Sequence, residues 1–384
     1  MKKLLIVNNN MHIGGIQKAL LNLLNEIGDK YDVTLLLFAE TGALLDKIPK
    51  NVKVVSANSF IKIMGLTQAE ARKDGKLTYL LRSFFTLLTR AFTTRLSFGI
   101  LSRLYKVKGG YDCAVSYMQN GGARVFYGGC AEFVLRAVRA KKKVCFLHCN
   151  FLNYGGNTPY NRKILEKFDA VAAVSDSARK CAEIADPKLS DKLFTVPNCI
   201  NDKEAEQLSG AFVPKLDENS VCLFTAARFS PEKGILRMLS IIRRISDSGL
   251  KAVWYVAGYG PQREEIDHTI EHLNLQNSVI LLGNLTNPYP YFRHADIVLV
   301  PSYDEAAPMV FSEARCFGTP VFTTDTVSAK ELILNTNSGW VCDNTDEAIE
   351  SELKQVLSHF KPHKLPPYRK NNEKALRAFD EIIG

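Results

Sequence analysis

Short apolar runs alternate along this chain with segments whose apolar residues recur at helical spacing. Residues 3–7, 33–38, 52–55, 111–117, 143–148 and 170–174 read as strands, as do 221–227, 253–257, 279–282 and 297–300. Most of these runs are apolar throughout instead of alternating, which suits strands of a parallel sheet covered by helices on both faces. Helical spacing appears in residues 16–27, through Ala19, Leu20, Leu23 and Leu24, and helix is also expected over 124–139. Strands alternating with helices predict an α/β fold with parallel sheets. The alternation occurs twice. Between the two sets, residues 201–220 are polar and acidic with little periodicity, and they read as a linker. The expected organisation is a first domain over 1–200 with a helical segment at 60–108, the linker, a second domain over 221–360, and a tail over 361–384. Two such halves facing across a cleft would place a ligand site between them.

A chain of 384 residues is long for one core and comfortable for two. Its net charge of +9 is unevenly placed. Lys62, Arg72, Lys73, Lys76, Arg82, Arg90, Arg95, Arg103, Lys106 and Lys108 are opposed in that segment only by Glu70 and Asp74, so residues 60–108 carry +8 of it. The same segment contains Tyr-Leu-Leu-Arg-Ser-Phe-Phe-Thr-Leu-Leu-Thr-Arg-Ala-Phe over 79–92. A basic helix with Phe and Leu on its other face suits an anionic membrane surface. The plainer reading is a pair of domain helices with a solvated basic face. No nucleic-acid-binding motif accompanies the charge, so nucleic acid is not expected as a partner. The nine Cys include no Cys-x-x-Cys pair and read as thiols in a reducing compartment. The first apolar run is only four residues and reads as a strand, not a signal peptide, and no run approaches the roughly 20 apolar residues that span a bilayer. A cytoplasmic protein, or one peripheral to the cytosolic face of a membrane, is expected.

The strand at 297–300 is followed by Ser-Tyr-Asp-Glu-Ala-Ala-Pro-Met-Val-Phe-Ser-Glu-Ala-Arg-Cys-Phe-Gly-Thr-Pro over 302–320. Pro308 suits the first turn of a helix, Val310, Ala314 and Phe317 would face its core, and Gly318 sits where it stops. The helix N-terminus, with the amides around Ala307, Pro308, Met309 and Val310, is a ready anion site. Glu305 and Glu313 bracket it, and Glu313 lies to one side of the apolar stripe, free to reach a cleft. Acids beside a phosphate make sense when they accept hydrogen bonds from sugar hydroxyls; otherwise they are an ordinary solvated pair. Arg228-Phe-Ser-Pro-Glu-Lys233-Gly follows another strand, and two cations so spaced can bracket a diphosphate. Gly14-Gly15 forms a phosphate-facing turn between a strand and a helix, without the Gly-x-Gly-x-x-Gly of dinucleotide sites. His148 stands at the carboxyl end of a strand, and Gly258-Tyr-Gly260-Pro ends another. His268-Thr-Ile-Glu271-His272 matches a zinc peptidase pattern, but Ile266, Ile270 and Leu273 define the buried face there and put both His on the solvated side.

Glu305, seven residues, Glu313, then Ala-x-x-x-Gly-x-Pro-Val resembles the glycosyltransferases of the GT-B fold, most closely the large retaining group called family four. The Arg228 to Gly234 motif and Gly258-Tyr-Gly260-Pro resemble that family too, as does Pro-Asn-Cys-Ile-Asn at 197–201, where Cys199 replaces the usual Gly. Ala306-Ala307 stand where the family usually has Gly and a large apolar residue. The resemblance implies two Rossmann-like domains. It implies Glu305 and His148 beside the donor sugar and Glu313 on the ribose. The 307–310 amides, Arg228 and Lys233 would hold the diphosphate, with Gly258 and Gly260 near the nucleotide and Gly14-Gly15 closing over the donor. It implies transfer of a hexose, from a UDP-sugar by preference, to a glycan or polyprenyl-diphosphate-linked acceptor in bacterial surface-polysaccharide synthesis. A terminal helix crossing back to the first domain is implied as well. The sequence has no Asp-x-Asp, so no cofactor or metal is expected and the cations would neutralise the leaving diphosphate. A nucleotide-sugar epimerase or hydrolase, and a catalytically degenerate membrane scaffold, are the competing readings.

Overall fold

The computed structural model describes residues 1–366 and 372–384, and the chain folds as two compact units. The first comprises Met1–Cys199 together with Asn372–Gly384; the second begins at Ile200.

In the first unit seven parallel strands form one sheet: β1 (Lys3–Asn8), β2 (Asp32–Leu37), β3 (Lys53–Ser56), β4 (Tyr111–Ser116), β5 (Ala140–Leu147), β6 (Ala170–Ala173) and β7 (Leu193–Thr195). Their order is β3-β2-β1-β4-β5-β6-β7, the doubly wound arrangement in which the chain reverses direction across the sheet between β1 and β4. Neighbouring side chains of β1 point to opposite faces, and both faces are covered. Leu5 and Val7 join a core with Phe98, Phe133 and Val134, whereas Leu4 and Ile6 join a core with Leu20, Leu24, Phe379 and Ile382. That is why these strands read as continuous apolar runs. The helix Gly15–Ile27 and the distant helix Glu373–Ile383 therefore share one layer. The Tyr31 hydroxyl donates to Asp380 Oδ1 at 2.6 Å, and the Phe379 ring lies 6.3 Å edge-on from that of Tyr31.

The basic segment is four helices, Ser59–Lys62, Gln68–Asp74, Lys76–Phe92 and Thr94–Leu101. Helix was expected from 124 to 139; it spans only Cys130–Ala137, because Gly128 and Gly129 take positive φ (113° and 83°) immediately before it and β5 begins at Ala140.

The second unit repeats the plan with six parallel strands: β8 (Val221–Ala226), β9 (Ala252–Ala257), β10 (Val279–Gly283), β11 (Ile297–Val300), β12 (Val321–Thr324) and β13 (Gly339–Cys342). The order is β10-β9-β8-β11-β12-β13, with the switch between β8 and β11. Leu223, Trp254, Val256, Leu299 and Phe322 pack on one face; Phe224, Tyr255, Val298, Val300 and Val321 pack on the other.

Residues 201–220, expected as a linker, open with the helix Asp202–Ser209, capped by the Asn201 side chain. Ala205 is fully buried in the second unit's core, and Asn287 Nδ2 and Arg293 Nη1 bond Leu208 O and Ser209 Oγ. A polar helix needs few apolar residues to dock when its terminal groups are bonded from outside, and so its periodicity was faint. The second unit also runs past 360: the Leu365 amide donates to Gly318 O at 2.7 Å. Within the expected tail, residues 367–371 lie outside the described residues.

Candidate functional site in the second unit

The switch between β8 and β11 fixes where this unit can hold a ligand, because the loops leaving those two strands diverge to opposite faces and leave a crevice at their carboxyl ends. The strands are direct neighbours, pairing Ile297 with Leu223 and Val298 with Phe224. The loop after β8 carries Arg228 and Lys233; the loop after β11 carries Ser302 to Pro308. The two are stitched together. Gly234 adopts φ +67°, and a Cβ there would lie 2.1 Å from Pro301 O, so only glycine admits the approach. Arg237 Nε and Nη2 both donate to Pro301 O (3.1 and 2.5 Å), and its guanidinium lies 3.8 Å over the Tyr303 ring. The Tyr303 amide donates to Glu232 O at 2.8 Å.

At the centre of this junction Lys233 Nζ meets Glu305 Oε1 at 2.5 Å, and Ser302 Oγ donates to the same oxygen at 2.8 Å. The Glu305 side chain is 11% exposed and that of Lys233 25%, so the pair is sheltered while keeping an open side. Thr324 Oγ1 on β12 donates to the Ser302 carbonyl. Arg228 is exposed on the same loop as Lys233. Gly258 and Gly260, expected beside a nucleotide, have a structural reason for being glycine. A Cβ would lie 1.8 Å from Ala227 O at Gly258, where φ is +154°, and 2.3 Å from Phe229 O at Gly260. They let the β9 loop press against the backbone flanking Arg228, where the Phe229 amide bonds Tyr259 O at 3.1 Å.

The helix after Glu305 is Met309–Cys316, with Pro308 at its N-cap and no side chain capping it. Ala307, Pro308 and Val310 are half-buried around its first turn, and Met309 is buried. Gly318 has φ +65°, as expected of a stop. The expectation for Glu313 needs correction: it is 4% exposed, buried with Met309, Phe311 and Ala314. A helix of eight residues wedged beside the sheet has little solvated surface, and Phe311 serves as the main core residue, with Val310 and Phe317 packed around it.

The remaining candidates lie in the first unit. Gly14 caps the helix Gly15–Ile27 in extended conformation, and a Cβ on Gly15 would meet nothing within 4 Å. His148 follows β5 at its carboxyl end, its ring 4.7 Å from that of Tyr117 and 5.8 Å from that of Phe146. Its backbone amide donates to Gln119 Oε1 at 3.1 Å, while its ring Nε2 is buried without a partner. Burial lowers its pKa to about 4, only partly opposed by a hydrogen bond with the Tyr117 backbone, so the ring is neutral at pH 7.

Sequence reasoning missed a polar cluster in this unit. Asn120 Nδ2 donates to both Glu132 oxygens (2.9 and 2.8 Å), and Asn161 Nδ2 donates to Gly121 O and Gly156 O (3.1 and 2.8 Å). Burial raises the Glu132 pKa. The signal was available, because Glu132 interrupts the apolar run Cys-Ala-Glu-Phe-Val-Leu. Asn9 and Asn10 likewise tie the loop after β1 to Met64 O and Gly65 O (3.3 and 2.8 Å). His268 and His272 are both exposed while Ile266 and Ile270 are buried, and among the described residues no three His, Cys, Asp or Glu are grouped to hold a metal ion.

Comparison with known proteins gives the site a context. Residues 210–375 match the family described as glycosyl transferases group 1. An uncharacterized glycosyltransferase, MJ1059 of Methanocaldococcus jannaschii, is 26% identical over 170 residues, covering 43% of this chain and 42% of that protein. The 2-deoxystreptamine N-acetyl-D-glucosaminyltransferase of Niallia circulans is 24% identical over 177 residues, covering 44% and 46%. This chain thus spans under half the length of these curated relatives. Among solved structures, Anabaena HepE in complex with UDP aligns with all of this chain and 94% of its own at TM-score 0.62 and 18% identity. Sucrose-phosphate synthase of Thermosynechococcus elongatus aligns with all of this chain and 96% of its own at TM-score 0.65 and 16% identity. At such identities the likeness is one of fold. The two doubly wound parallel sheets are those of the GT-B fold, and the segment that is similar to the glycosyl transferases group 1 family contains the Lys233–Glu305 junction.

Proposed function

We propose that the protein is a retaining glycosyltransferase that moves a hexose from a nucleotide diphosphate sugar, UDP-linked by preference, to a glycan or lipid-linked acceptor in surface-polysaccharide synthesis. The observation that carries this reading is the Lys233–Glu305 pair at the switch crevice, one oxygen of Glu305 receiving both Lys233 and Ser302. A sheltered cation beside a sheltered carboxylate, next to a helix N-terminus, offers one group to a diphosphate and the other to sugar hydroxyls. In this reading donor binding draws Lys233 toward the phosphates and frees Glu305 Oε1 to accept from the sugar. Arg228 adds a second cation, the turn at Ala307, Pro308, Met309 and Val310 supplies backbone amides, and Gly258 and Gly260 shape the loop beneath Arg228. Glu313, though buried, remains our candidate for the ribose. Bond cleavage leaves negative charge on the diphosphate, which these cations stabilise without a metal ion. The leaving phosphate accepts the acceptor's proton. The first unit is assigned the acceptor; Gly14 and Gly15 remain candidates for donor binding and His148 for catalysis. Names among the relatives support the class of product: CapM of Staphylococcus aureus, 22% identical over 38% of this chain, is a capsular polysaccharide biosynthesis glycosyltransferase.

The test is nucleotide release from a panel of UDP-, GDP- and ADP-sugars, with and without EDTA and with polyprenyl-diphosphate-sugar acceptors. Release from one donor that rises with acceptor, survives EDTA and is lost in Glu305→Ala is expected. Release indifferent to every acceptor would favour a hydrolase or epimerase, and absence of both release and donor binding would end the enzymatic reading.

A further inference from the structure

We infer that the helix Lys76–Phe92 of the first unit, with the helix Thr94–Leu101 that follows it, is a docking surface for an anionic lipid bilayer. The helix has two unlike sides. Arg82, Phe85 and Thr89 are buried, and they lie on one side at 100° per residue. Leu77, Leu80, Phe84 and Leu87 are 80%, 53%, 59% and 64% exposed. Spaced three, four and three residues apart, they form a single stripe opposite the buried side, roughly two and a half turns long. Phe92 is 64% exposed at the helix end, and Leu96, Ile100 and Leu104 continue exposed at intervals of four. Scattered exposed apolar residues are ordinary; a continuous stripe of them is not.

The charge around the stripe identifies what covers it. Arg82 is not part of it: its guanidinium is turned inward, donating to Leu66 O and Phe126 O at 2.7 and 3.2 Å. Lys62 is held by Asp74. Arg72, Lys73, Lys76, Arg90, Arg95, Arg103, Lys106 and Lys108 are all exposed. Arg72 and Lys73, with Gln68, Ala69 and Tyr79, line an open hollow of about 440 Å³ beside the apolar helix. Arg103 Nη1 donates to Gly99 O and Lys106 Nζ to Arg136 O, but Lys76, Arg90 and Arg95, on the two exposed helices, would meet like charge if a second copy docked here, whereas a bilayer with anionic headgroups matches both the charge and the apolar stripe. The helix lies on the surface; no helix among the described residues is long and apolar enough to cross a membrane.

The full chain is mixed with vesicles of phosphatidylcholine alone or with 30% phosphatidylglycerol, and sedimentation is read alongside light scattering of the protein without lipid. Binding to the anionic vesicles is expected, weakened about 5-fold for each of Arg90→Gln and Arg95→Gln and by added salt. Leu80→Gln/Phe84→Gln/Leu87→Gln is expected to lower it by at least roughly 10-fold with unchanged circular dichroism, since all three positions are exposed. The inference fails if the folded protein ignores anionic vesicles, or if the triple variant binds as the parent does. It also fails if the parent is a dimer that the triple variant dissociates and neither binds lipid. Nucleotide release is a separate measurement, so the outcome does not depend on the transferase reading.

Discussion

Two donors converge on Glu305 Oε1, and they are expected to matter differently. Lys233→Met removes a charged donor that a diphosphate would recruit, so kcat/KM for the donor sugar should fall about 10- to 100-fold. Ser302→Ala removes a neutral hydroxyl that holds the carboxylate in place; kcat should fall about 5-fold with donor KM nearly unchanged. A rise in KM alone for Ser302→Ala would mean that the serine serves binding and not the aim of Glu305. His148 gives a prediction in pH. Its folded-state pKa is about 4, below the ordinary 6.5, so the unfolded chain takes up its proton first as pH falls. Stability should therefore drop from pH 6.5 to 4, by at most about 3 kcal/mol. Thermal melts of His148→Asn should lack this part of the acid loss. At this scale the sequence disclosed residue types and spacing: Glu305, Lys233 and Arg228 stand on the loops where they were expected. It could not disclose that Lys233 bonds Glu305 across 72 residues of chain, or that Glu313 is buried, because both depend on how loop and helix lie against the sheet.

At the scale of elements, the glycines divide into two kinds that the sequence does not distinguish. Gly15 stands in open space, and Gly15→Ala should alter stability by less than about 0.5 kcal/mol. Gly258→Ala would push a methyl into Ala227 O from a backbone conformation that glycine alone adopts readily, and should destabilise the second unit by about 3 kcal/mol or more. Chemical denaturation measures both, read by tryptophan fluorescence for the second unit, where Trp254 and Trp340 lie, and by circular dichroism for the first. The long buried strands were legible because parallel sheets need apolar runs. The strands β7, β12 and β13 were not, because Thr or Gly occupies part of each three- or four-residue run, unlike the equally short but wholly apolar β6 and β11. The helix Asp202–Ser209 was misread for the converse reason: its attachment comes from polar caps, which leave no apolar rhythm.

For the whole molecule, the partition of the chain is the informative feature. The first unit's second core layer depends on Phe379 and Ile382, both fully buried, from a segment that follows the entire second unit. Phe379→Ala should lower the first unit's stability by about 3–5 kcal/mol, seen as an earlier first transition in calorimetry with the second unit's transition unmoved. Charge placement was legible at this scale from counting alone, whereas the side of the helix on which Leu77, Leu80, Phe84 and Leu87 lie required the packed structure.

The same partition sets an order of events during synthesis. Chains usually complete their domains from the N-terminus onward as they emerge. Here residues 1–199 leave the ribosome first yet must wait with one sheet face only partly covered, by the helix Gly15–Ile27, while the second unit emerges and folds. Only when Asn372–Gly384 appears does the first unit gain its missing helix. The unit that begins the chain is thus the last to be finished, and a stalled or clipped product would leave Tyr31 and Phe146 without the Phe379 ring, open to chaperones and proteases, while its second unit stood complete.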